Sequence, residues 1–290
     1  LAHGARQFAD TKGVNPVHFA AAKGATNLIQ ILSRFSYADL EATNVNGYTP
    51  LHFAALHNQL KVVQQIIQDN YRLVNIKTNK SRESKHGVDK QTPLHLAARA
   101  GNFRMVNELI NHGADYSAKD EHQTGLLAYV AQSGNKQLME FFADTVLFED
   151  DSQLAEAFVF AAMRDYLGII NFLLSQNIPV NMMLRDTGQT AIHTAAANGA
   201  DRALVKLLNC GASPNPFARF GIEAPLLSAV KGGHLNATQL LLNSGAEDNL
   251  IDQSGNNLLH LSVVNNHPAL LAYLLLHGLD TSKENYSGLT

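Results

Sequence analysis

Residues 91–101, QTPLHLAARAG, are the part of the sequence from which the fold can be predicted. Threonine, proline, leucine and histidine stand in this order before a run of small residues. The pattern recurs, in whole or in part, eight times along the 290 residues. The copies nearest to it are residues 48–55, 189–196 and 256–263, and a weaker copy is residues 15–21. An internal repeat of this kind predicts a chain that is built from similar structural units.

The spacing of the copies is nearly constant. When each copy is aligned on the residue at its proline position, successive copies are 31 to 34 residues apart, except for one step of 43. The aligned residues are Pro16, Pro50, Pro93, Leu126, Ala157, Ala191, Pro225 and Leu258. Proline suits the first residue of a helix, and a preceding threonine can cap that helix. We therefore expect a first helix to begin at each aligned position.

A second pattern supports this alignment, because it was not used to make it. Eight residues after each aligned position stands a glycine, asparagine or aspartate, the residue types that best tolerate a left-handed backbone. These residues are Gly24, Asn58, Gly101, Gly134, Asp165, Gly199, Gly233 and Asn266. We expect the first helix to end there. A second, amphipathic helix should follow, and neighbouring pairs should bury each other's apolar faces.

The pattern resembles the ankyrin repeat, whose motif is T-P-L-H-x-A with a period of about 33 residues. The resemblance extends over the whole chain and implies an all-α ankyrin-repeat solenoid of about eight helix-turn-helix repeats, with β-hairpin or loop fingers. We expect one ankyrin repeat domain over residues 1–290, with partial repeats at both ends and an irregular junction at residues 143–155. The repeats should start near residues 13, 47, 89, 122, 153, 188, 221 and 255.

Composition and charge argue against several classes of function. The formal net charge of −3 gives no overall basic field for nucleic acid. The longest apolar run, residues 270–276, is too short for direct membrane insertion. The one cysteine, Cys210, rules out an internal disulfide and fits a reducing compartment. We therefore expect an intracellular, cytoplasmic, monomeric segment with no nucleic-acid partner.

No motif for catalysis, cofactor binding or metal binding is apparent, so we expect no enzyme and no cofactor. Five of the thirteen histidines occupy the fourth place of the repeated motif: His18, His52, His95, His193 and His260. The resemblance implies that these histidines form structural hydrogen bonds between repeats. They stand one repeat apart, which is too far for ligands of one metal ion. Cys210 is expected to be a buried or half-buried thiol.

The resemblance implies that the function is protein–protein interaction. In ankyrin proteins the partner usually lies on the concave face, which is formed by the fingers and the exposed ends of the first helices. Transferred position by position, this gives the candidate contact residues Tyr48, Leu56, His57, Gln91, Arg99, Thr124, Gln132, Met163, Arg164, Gln189, Asn198, Phe220, Glu223 and Lys231. Among these, Tyr48 and Arg99 are candidate anchors, because tyrosine and arginine often carry binding energy, and Phe220 is a further candidate. Phe19, Phe53 and Phe160 are expected in the core.

The step of 43 residues contains an insertion at residues 78–90. From Lys77 to Lys90 there are five cationic and two anionic residues, a local charge of +3 on an acidic protein. Lys80, Arg82 and Lys85 are therefore candidate contacts for an acidic partner.

Two other functions are compatible with the repeats. In the first alternative, the chain would be the substrate-recruiting ankyrin region of a larger multidomain enzyme or secreted bacterial effector, and an effector would act in the host cytoplasm. Uneven repeats with abundant asparagine and glutamine favour this alternative. The remaining alternative is a structural segment of a membrane-associated scaffold or channel. A catalytic motif or a membrane span in flanking sequence would distinguish these functions.

Overall fold

The computed structural model describes residues 9–34, 39–79, 90–216 and 222–290. The chain divides into two compact units, Leu1–Ala143 and Asp144–Thr290. Within the described residues, each unit contains eight α-helices that follow one another as four pairs. Two short 3-10 helices, Tyr71–Asn75 and Val146–Glu149, accompany them.

In the first unit the helices are α1 (Pro16–Lys23), α2 (Thr26–Arg34), α3 (Pro50–Leu56), α4 (Leu60–Asp69), α5 (Pro93–Arg99), α6 (Phe103–Asn111), α7 (Leu126–Ser133) and α8 (Lys136–Phe141). In the second unit they are α9 (Asp151–Met163), α10 (Leu167–Ser175), α11 (Ala191–Ala197), α12 (Asp201–Asn209), α13 (Pro225–Lys231), α14 (Leu235–Asn243), α15 (Leu258–Val264) and α16 (Pro268–Leu276).

Seven of the eight first helices begin at the residue that the sequence predicts. In α5 the hydroxyl oxygen of Thr92 accepts a hydrogen bond from the backbone N–H of His95, at 3.4 Å. In return, Nδ1 of His95 accepts a hydrogen bond from the backbone N–H of Thr92, at 3.0 Å. This reciprocal cap satisfies two of the N–H groups that the start of a helix leaves without partners.

The predicted ends of the first helices are also confirmed. All eight residues in the terminating position have positive φ angles, between 57° and 75°. Five of them are glycines, two are asparagines and one is Asp165. The left-handed backbone stops the first helix and redirects the chain into the second, so this one residue determines the shape of each pair.

The fifth pair departs from the prediction. Its first helix was expected to begin at Ala157, but α9 begins at Asp151 and runs for 13 residues. The side chain of Asp150 caps the early start by accepting a hydrogen bond from the backbone N–H of Ser152, at 2.9 Å. Leu154, in the added turns, is only 2 % exposed. A capping aspartate and buried apolar residues therefore place a helix inside the segment where an irregular junction was predicted.

Inside each unit, first helices pack side by side. In the first unit α3 contacts both α1 and α5, and in the second unit α11 contacts both α9 and α13. The small side chains of Ala54, Ala97 and Ala195 are fully buried, which allows the helix axes to come close. Each pair thus buries apolar surface against its neighbours, and the core extends along the unit instead of surrounding one centre.

The same turn precedes first helices in both units. At Asn44 the side-chain oxygen accepts hydrogen bonds from the backbone N–H groups of Asn46 (3.0 Å) and Tyr48 (2.9 Å). Equivalent bonds, from residues two and four positions later, are accepted by Asp10, Asp120, Asp252 and Asn285. We call this arrangement the Asx turn of a finger. It holds the tip of the finger together with local bonds, and Val45 at one tip also donates its backbone N–H to the carbonyl oxygen of Lys12 in the preceding finger, at 2.9 Å.

The predicted fold class is confirmed, because the described residues form helix-turn-helix pairs joined by turn-rich fingers. In these residues β-type pairing is limited to two isolated antiparallel bridges, Met183 with Thr190 and Ile251 with Asn257. The fingers of the described chain are therefore turns and loops, with only the beginnings of hairpins.

Replacement of Gly101 tests the role of the left-handed residues. Gly101 has a φ of +69°, so Gly101→Val should lower the free energy of unfolding by about 1–3 kcal/mol, because a β-branched residue is strained there. Urea unfolding would measure the change. Gly101→Asn is the matched control, since it adds the same Cβ and Asn58 holds a φ of 58° at the equivalent position. Equal losses in both variants would contradict the backbone explanation.

Candidate functional site

The ends of neighbouring first helices form one candidate surface in each unit. In the first unit Leu56, His57, Arg99 and Gln132 lie at the carboxyl ends of α3, α5 and α7. We call these four residues the first helix-end stripe. His57 is exposed, and the other three are half-buried. Because α3 packs on α5 and α5 on α7, the stripe is continuous along the unit.

The second helix-end stripe consists of Met163, Arg164, Asn198 and Lys231. Arg164 and Asn198 are exposed, whereas Met163 and Lys231 are half-buried. The Nζ atom of Lys231 forms an ion pair with Glu223 and lies 3.9 Å from a carboxylate oxygen of Asp252. The two predicted contact residues Glu223 and Lys231 therefore neutralise each other in the unbound chain.

A buried chain of hydrogen bonds links the fingers of the first unit. Oη of Tyr48 donates to Oε1 of Gln91 (3.2 Å), and Nε2 of Gln91 donates to Oη of Tyr129 (2.6 Å). Oη of Tyr129 in turn donates to Oδ2 of Asp120 (2.6 Å). Burial and the hydrogen bond to Asp120 raise the pKa of Tyr129, so its hydroxyl remains a neutral donor. We call this chain the finger relay.

The finger relay corrects the prediction for Gln91. Its side chain is 0 % exposed, because its carbonyl and amide groups are both engaged in the relay, so it is not available to a partner. Tyr48 is half-buried, and its ring lies edge-on to Phe53 with centroids 6.3 Å apart. Tyr48 thus supports the neighbouring finger as well as facing solvent. Thr124 and Gln189, also predicted as finger contacts, are half-buried.

The motif histidines connect consecutive repeats. Nδ1 of His52 accepts a hydrogen bond from the backbone N–H of Thr49 (3.2 Å), so the ring proton is on Nε2, which donates to the carbonyl oxygen of Gln91 (3.0 Å). Nε2 also bonds the backbone carbonyl of a following finger in three other repeats: His18 to Tyr48, His95 to Ala118 and His260 to Leu289. These bonds agree with the structural role implied by the resemblance.

His193 is the exception among the motif histidines. Its Nδ1 accepts a hydrogen bond from the backbone N–H of Thr190 (3.2 Å), as in the other repeats. Its Nε2 has no hydrogen-bond partner among the described residues, although the side chain is only 2 % exposed.

Burial keeps four motif histidines neutral: His18, His52, His95 and His193. It lowers the pKa of His52, His95 and His193 to about 4, and it also lowers the pKa of His18. A protonated ring would lose its water and could no longer accept the bond to Nδ1. In the described part of the chain, no group of three or more histidine, cysteine, aspartate or glutamate side chains is arranged to hold a metal ion.

Models of ankyrin repeats match most of the chain. A model of three ankyrin repeat copies matches residues 1–80 and 202–285, and a model of a single ankyrin repeat matches residues 89–121. A model of many ankyrin repeat copies matches residues 158–208. The chain belongs to the ankyrin repeat family. Membership explains the recurring histidine bonds, turns and helix pairs as properties of one repeated unit.

Three relatives illustrate the range of proteins that contain similar repeats. The chain is 28 % identical over 227 residues to the B-cell lymphoma 3 protein homolog of Mus musculus, covering 78 % of this chain and 44 % of that protein. It is 28 % identical over 204 residues to the transient receptor potential cation channel subfamily A member 1 homolog of Caenorhabditis elegans, covering 70 % and 14 %. It is 32 % identical over 130 residues to human SH3 and multiple ankyrin repeat domains protein 2, covering 45 % and 7 %.

The chain therefore spans less than half of the length of each of these three ankyrin-repeat relatives. Among the helices of the described residues, none combines the length and the apolar character needed to cross a bilayer.

Two predictions about burial are wrong. Phe19 was expected in the core but is 54 % exposed, and Phe53 and Phe160 are half-buried. Phe53 reaches back to the preceding repeat, where its ring lies 5.2 Å from that of His18; Phe19 has no such neighbour among the described residues. Cys210 is exposed, because it follows α12 at the surface.

Four candidate contacts lie outside the described residues: Lys80, Arg82, Lys85 and Phe220.

The sequence predictions did not include Tyr129 and Asp120, which carry the finger relay. A signal for them exists. Ala128 stands where other copies have the motif histidine, and Asp120 precedes α7 by six residues, as Asn44 precedes α3.

Tyr129→Phe tests the finger relay. Loss of the hydroxyl leaves the buried groups of Asp120 and Gln91 without their partner, so we expect unfolding to require about 1–3 kcal/mol less free energy. Urea unfolding monitored by circular dichroism would measure the loss. Tyr71→Phe, at a tyrosine that is 70 % exposed, is the control and should have little effect. Similar losses in both variants would exclude a structural role of the relay.

The pH dependence of stability tests the histidine bonds. The unfolded chain takes up protons as pH falls below about 6.5, whereas the folded chain resists until about pH 4. The free energy of unfolding should therefore be highest above pH 6.5 and decrease as the pH falls towards 4. His52 alone should account for a decrease of about 2 kcal/mol at pH 5. Urea titrations at pH 7, 6 and 5 would measure this. His52→Gln should reduce the slope, whereas His57→Gln, at an exposed histidine, should not.

Proposed function

We propose that this ankyrin-repeat chain is a protein-recognition module that binds a partner protein through its helix-end stripes and finger tips. Ankyrin repeats serve as protein-interaction modules in the family, and they typically act as non-catalytic scaffolds. The observation that carries the proposal is the first helix-end stripe, where consecutive repeats present Leu56, His57, Arg99 and Gln132 on one surface.

The scaffold under this surface is fixed before a partner arrives. Asx turns hold the finger tips, the finger relay joins neighbouring fingers, and the motif histidines join one repeat to the next. Binding therefore costs little ordering of the backbone, which leaves more of the contact energy available for affinity. Arg99 and Arg164 are the proposed anchors of the two stripes, since arginine is enriched among residues that dominate binding energy.

A second candidate function is recruitment within a larger protein, as the substrate-binding region of a multidomain enzyme or an effector. The greater length of the relatives favours a role inside a longer chain. The three relatives described above come from animals, and a bacterial origin stays a hypothesis. A cytoplasmic location, which the single cysteine fits, and the lack of nucleic-acid partners, which the net charge of −3 favours, are likewise part of the proposal.

Affinity capture with matched variants tests the proposal. The 290-residue chain is the bait, beside a stripe variant with His57→Ala, Arg99→Ala and Gln132→Ala. The control carries Lys61→Ala, Arg104→Ala and Gln137→Ala, at three exposed positions on the second helices α4, α6 and α8 of the same repeats. Quantitative mass spectrometry of proteins captured from lysate should show a specific protein reduced at least about tenfold by the stripe variant alone.

Two further results decide between the sites. The pair Arg164→Ala and Asn198→Ala should reduce capture if the partner also contacts the second stripe. Capture that is equal for the original chain, both stripe variants and the control would contradict the proposal that these surfaces bind the partner. Circular dichroism of each variant would establish that it is folded before the capture is compared.

A further inference from the structure

The first unit presents positive charge along its recognition surface, although the chain as a whole carries −3. Lys23, in the last turn of α1, is exposed, and Arg99, in the last turn of α5, is half-buried. Within the described residues neither side chain takes part in an ion pair. Lys231, at the corresponding place in the second unit, is engaged by Glu223. In the described part of the first unit, these two cations are thus not held by an acidic partner.

Aromatic side chains belong to or flank α3, the helix that packs between the two helices carrying these cations. Phe53 and His57 belong to α3 and its end, between α1 and α5, and their rings are stacked with centroids 6.5 Å apart. Tyr48 lies edge-on to Phe53. Phe53 and Tyr48 are half-buried, and His57 is exposed, so each keeps part of its surface open to solvent. Along the surface, the order is therefore cation, aromatic cluster, cation.

Three acidic side chains of the neighbouring fingers make local contacts, whereas Asp39 and Glu41, in the finger before α3, are exposed. The carboxylate of Asp10 holds the Asx turn that precedes α1, and that of Asp120 holds its own turn and accepts from Tyr129. Glu121 lies 3.6 Å from His122. The helix ends at Lys23, His57 and Arg99 themselves carry no acidic residue. The helix ends, rather than the fingers, therefore complement negative charge.

We propose that the first unit binds an extended acidic segment of a partner protein, with an apolar side chain between two acidic positions. Packed helices lie about 8–10 Å apart. We therefore take the distance from Lys23 to the aromatic cluster, and the distance from the cluster to Arg99, as about one helix spacing each. An extended chain covers this distance in about three residues. The expected partner segment is therefore seven residues long, with acidic residues at its first and last positions, an apolar residue in the middle and two spacer residues on each side of it. The proposal rests on the proposed function, because it names the chemistry of the partner at the same surface.

The probe that tests this pattern is a fluorescein-labelled peptide of twelve residues. It has glutamates three positions before and after one phenylalanine, with serine elsewhere. A second peptide replaces glutamate by glutamine, and a third replaces it by lysine. Fluorescence anisotropy with the 290-residue chain should give at least about tenfold tighter binding for the acidic peptide than for the glutamine peptide, and no binding of the lysine peptide.

Charge reversal locates the binding site. The variant Lys23→Glu with Arg99→Glu should weaken binding of the acidic peptide at least about tenfold, because two attractions become repulsions. The control Lys61→Glu with Arg104→Glu changes the net charge equally, but on the second helices of the second and third repeats, and should change affinity by less than about threefold. Binding should also weaken as salt rises.

Equal binding of the acidic and glutamine peptides, or equal loss in both reversal variants, would overturn the acidic pattern. No binding of the acidic peptide would also overturn it. The proposed function would survive either result if the alanine variant of the first helix-end stripe still lost its captured protein. Failure of both experiments would reject the surface itself, so the two proposals can fail separately.

Discussion

A neutral imidazole is the constraint on which the rest of the structure depends. It belongs to two repeats at once, because Nδ1 closes the start of its own helix and Nε2–H binds the carbonyl of the following finger. This double role requires one protonation state, which burial enforces, and one tautomer, which the N–H donor at Nδ1 and the carbonyl at Nε2 select. In the four repeats where both bonds form, a single side chain thereby ties the start of a helix to the position of the following finger. The same bonds explain why a chain with thirteen histidines presents no arrangement of them, in its described parts, that resembles a metal site.

The burial of an apolar side chain in this molecule depends on the neighbouring helix pairs. Apolar side chains of the first and last pairs are therefore more exposed than their equivalents in inner pairs. Leu28 in α2 is 54 % exposed, whereas the equivalent Val62 in α4 is fully buried. Val263 in α15 is 61 % exposed, whereas the equivalent Ala196 in α11 is fully buried. The amino acid type does not cause this difference, since each position is apolar in every pair compared. It follows from whether another pair covers the face.

The sequence predicts the backbone of this fold better than its surface. Residues with special backbone requirements are identifiable, since only glycine and a few polar types hold positive φ at little cost; hence the terminating residues, from Gly24 to Asn266, follow from their spacing alone. The start of α9 does not follow from spacing, because Asp150 offers a local helix cap that competes with the repeat pattern. The burial of Gln91 is also invisible in sequence. It depends on Tyr129, 38 positions away, whose hydroxyl oxygen accepts a hydrogen bond from the side-chain amide of Gln91. Candidate contacts thus require knowledge of which polar groups already satisfy one another.

The Asx turns have a consequence for how such a chain can change over time. Each turn is closed by one accepting side chain and by backbone groups, so its bonds do not depend on the identity of the two residues at its tip. Those residues are Val45 and Asn46 after Asn44, Glu121 and His122 after Asp120, and Gln253 and Ser254 after Asp252. Apolar, charged and neutral polar tips therefore occur on one backbone. Substitutions at the tips can alter what the surface recognises while the fold is maintained by other residues, so specificity and stability can evolve separately.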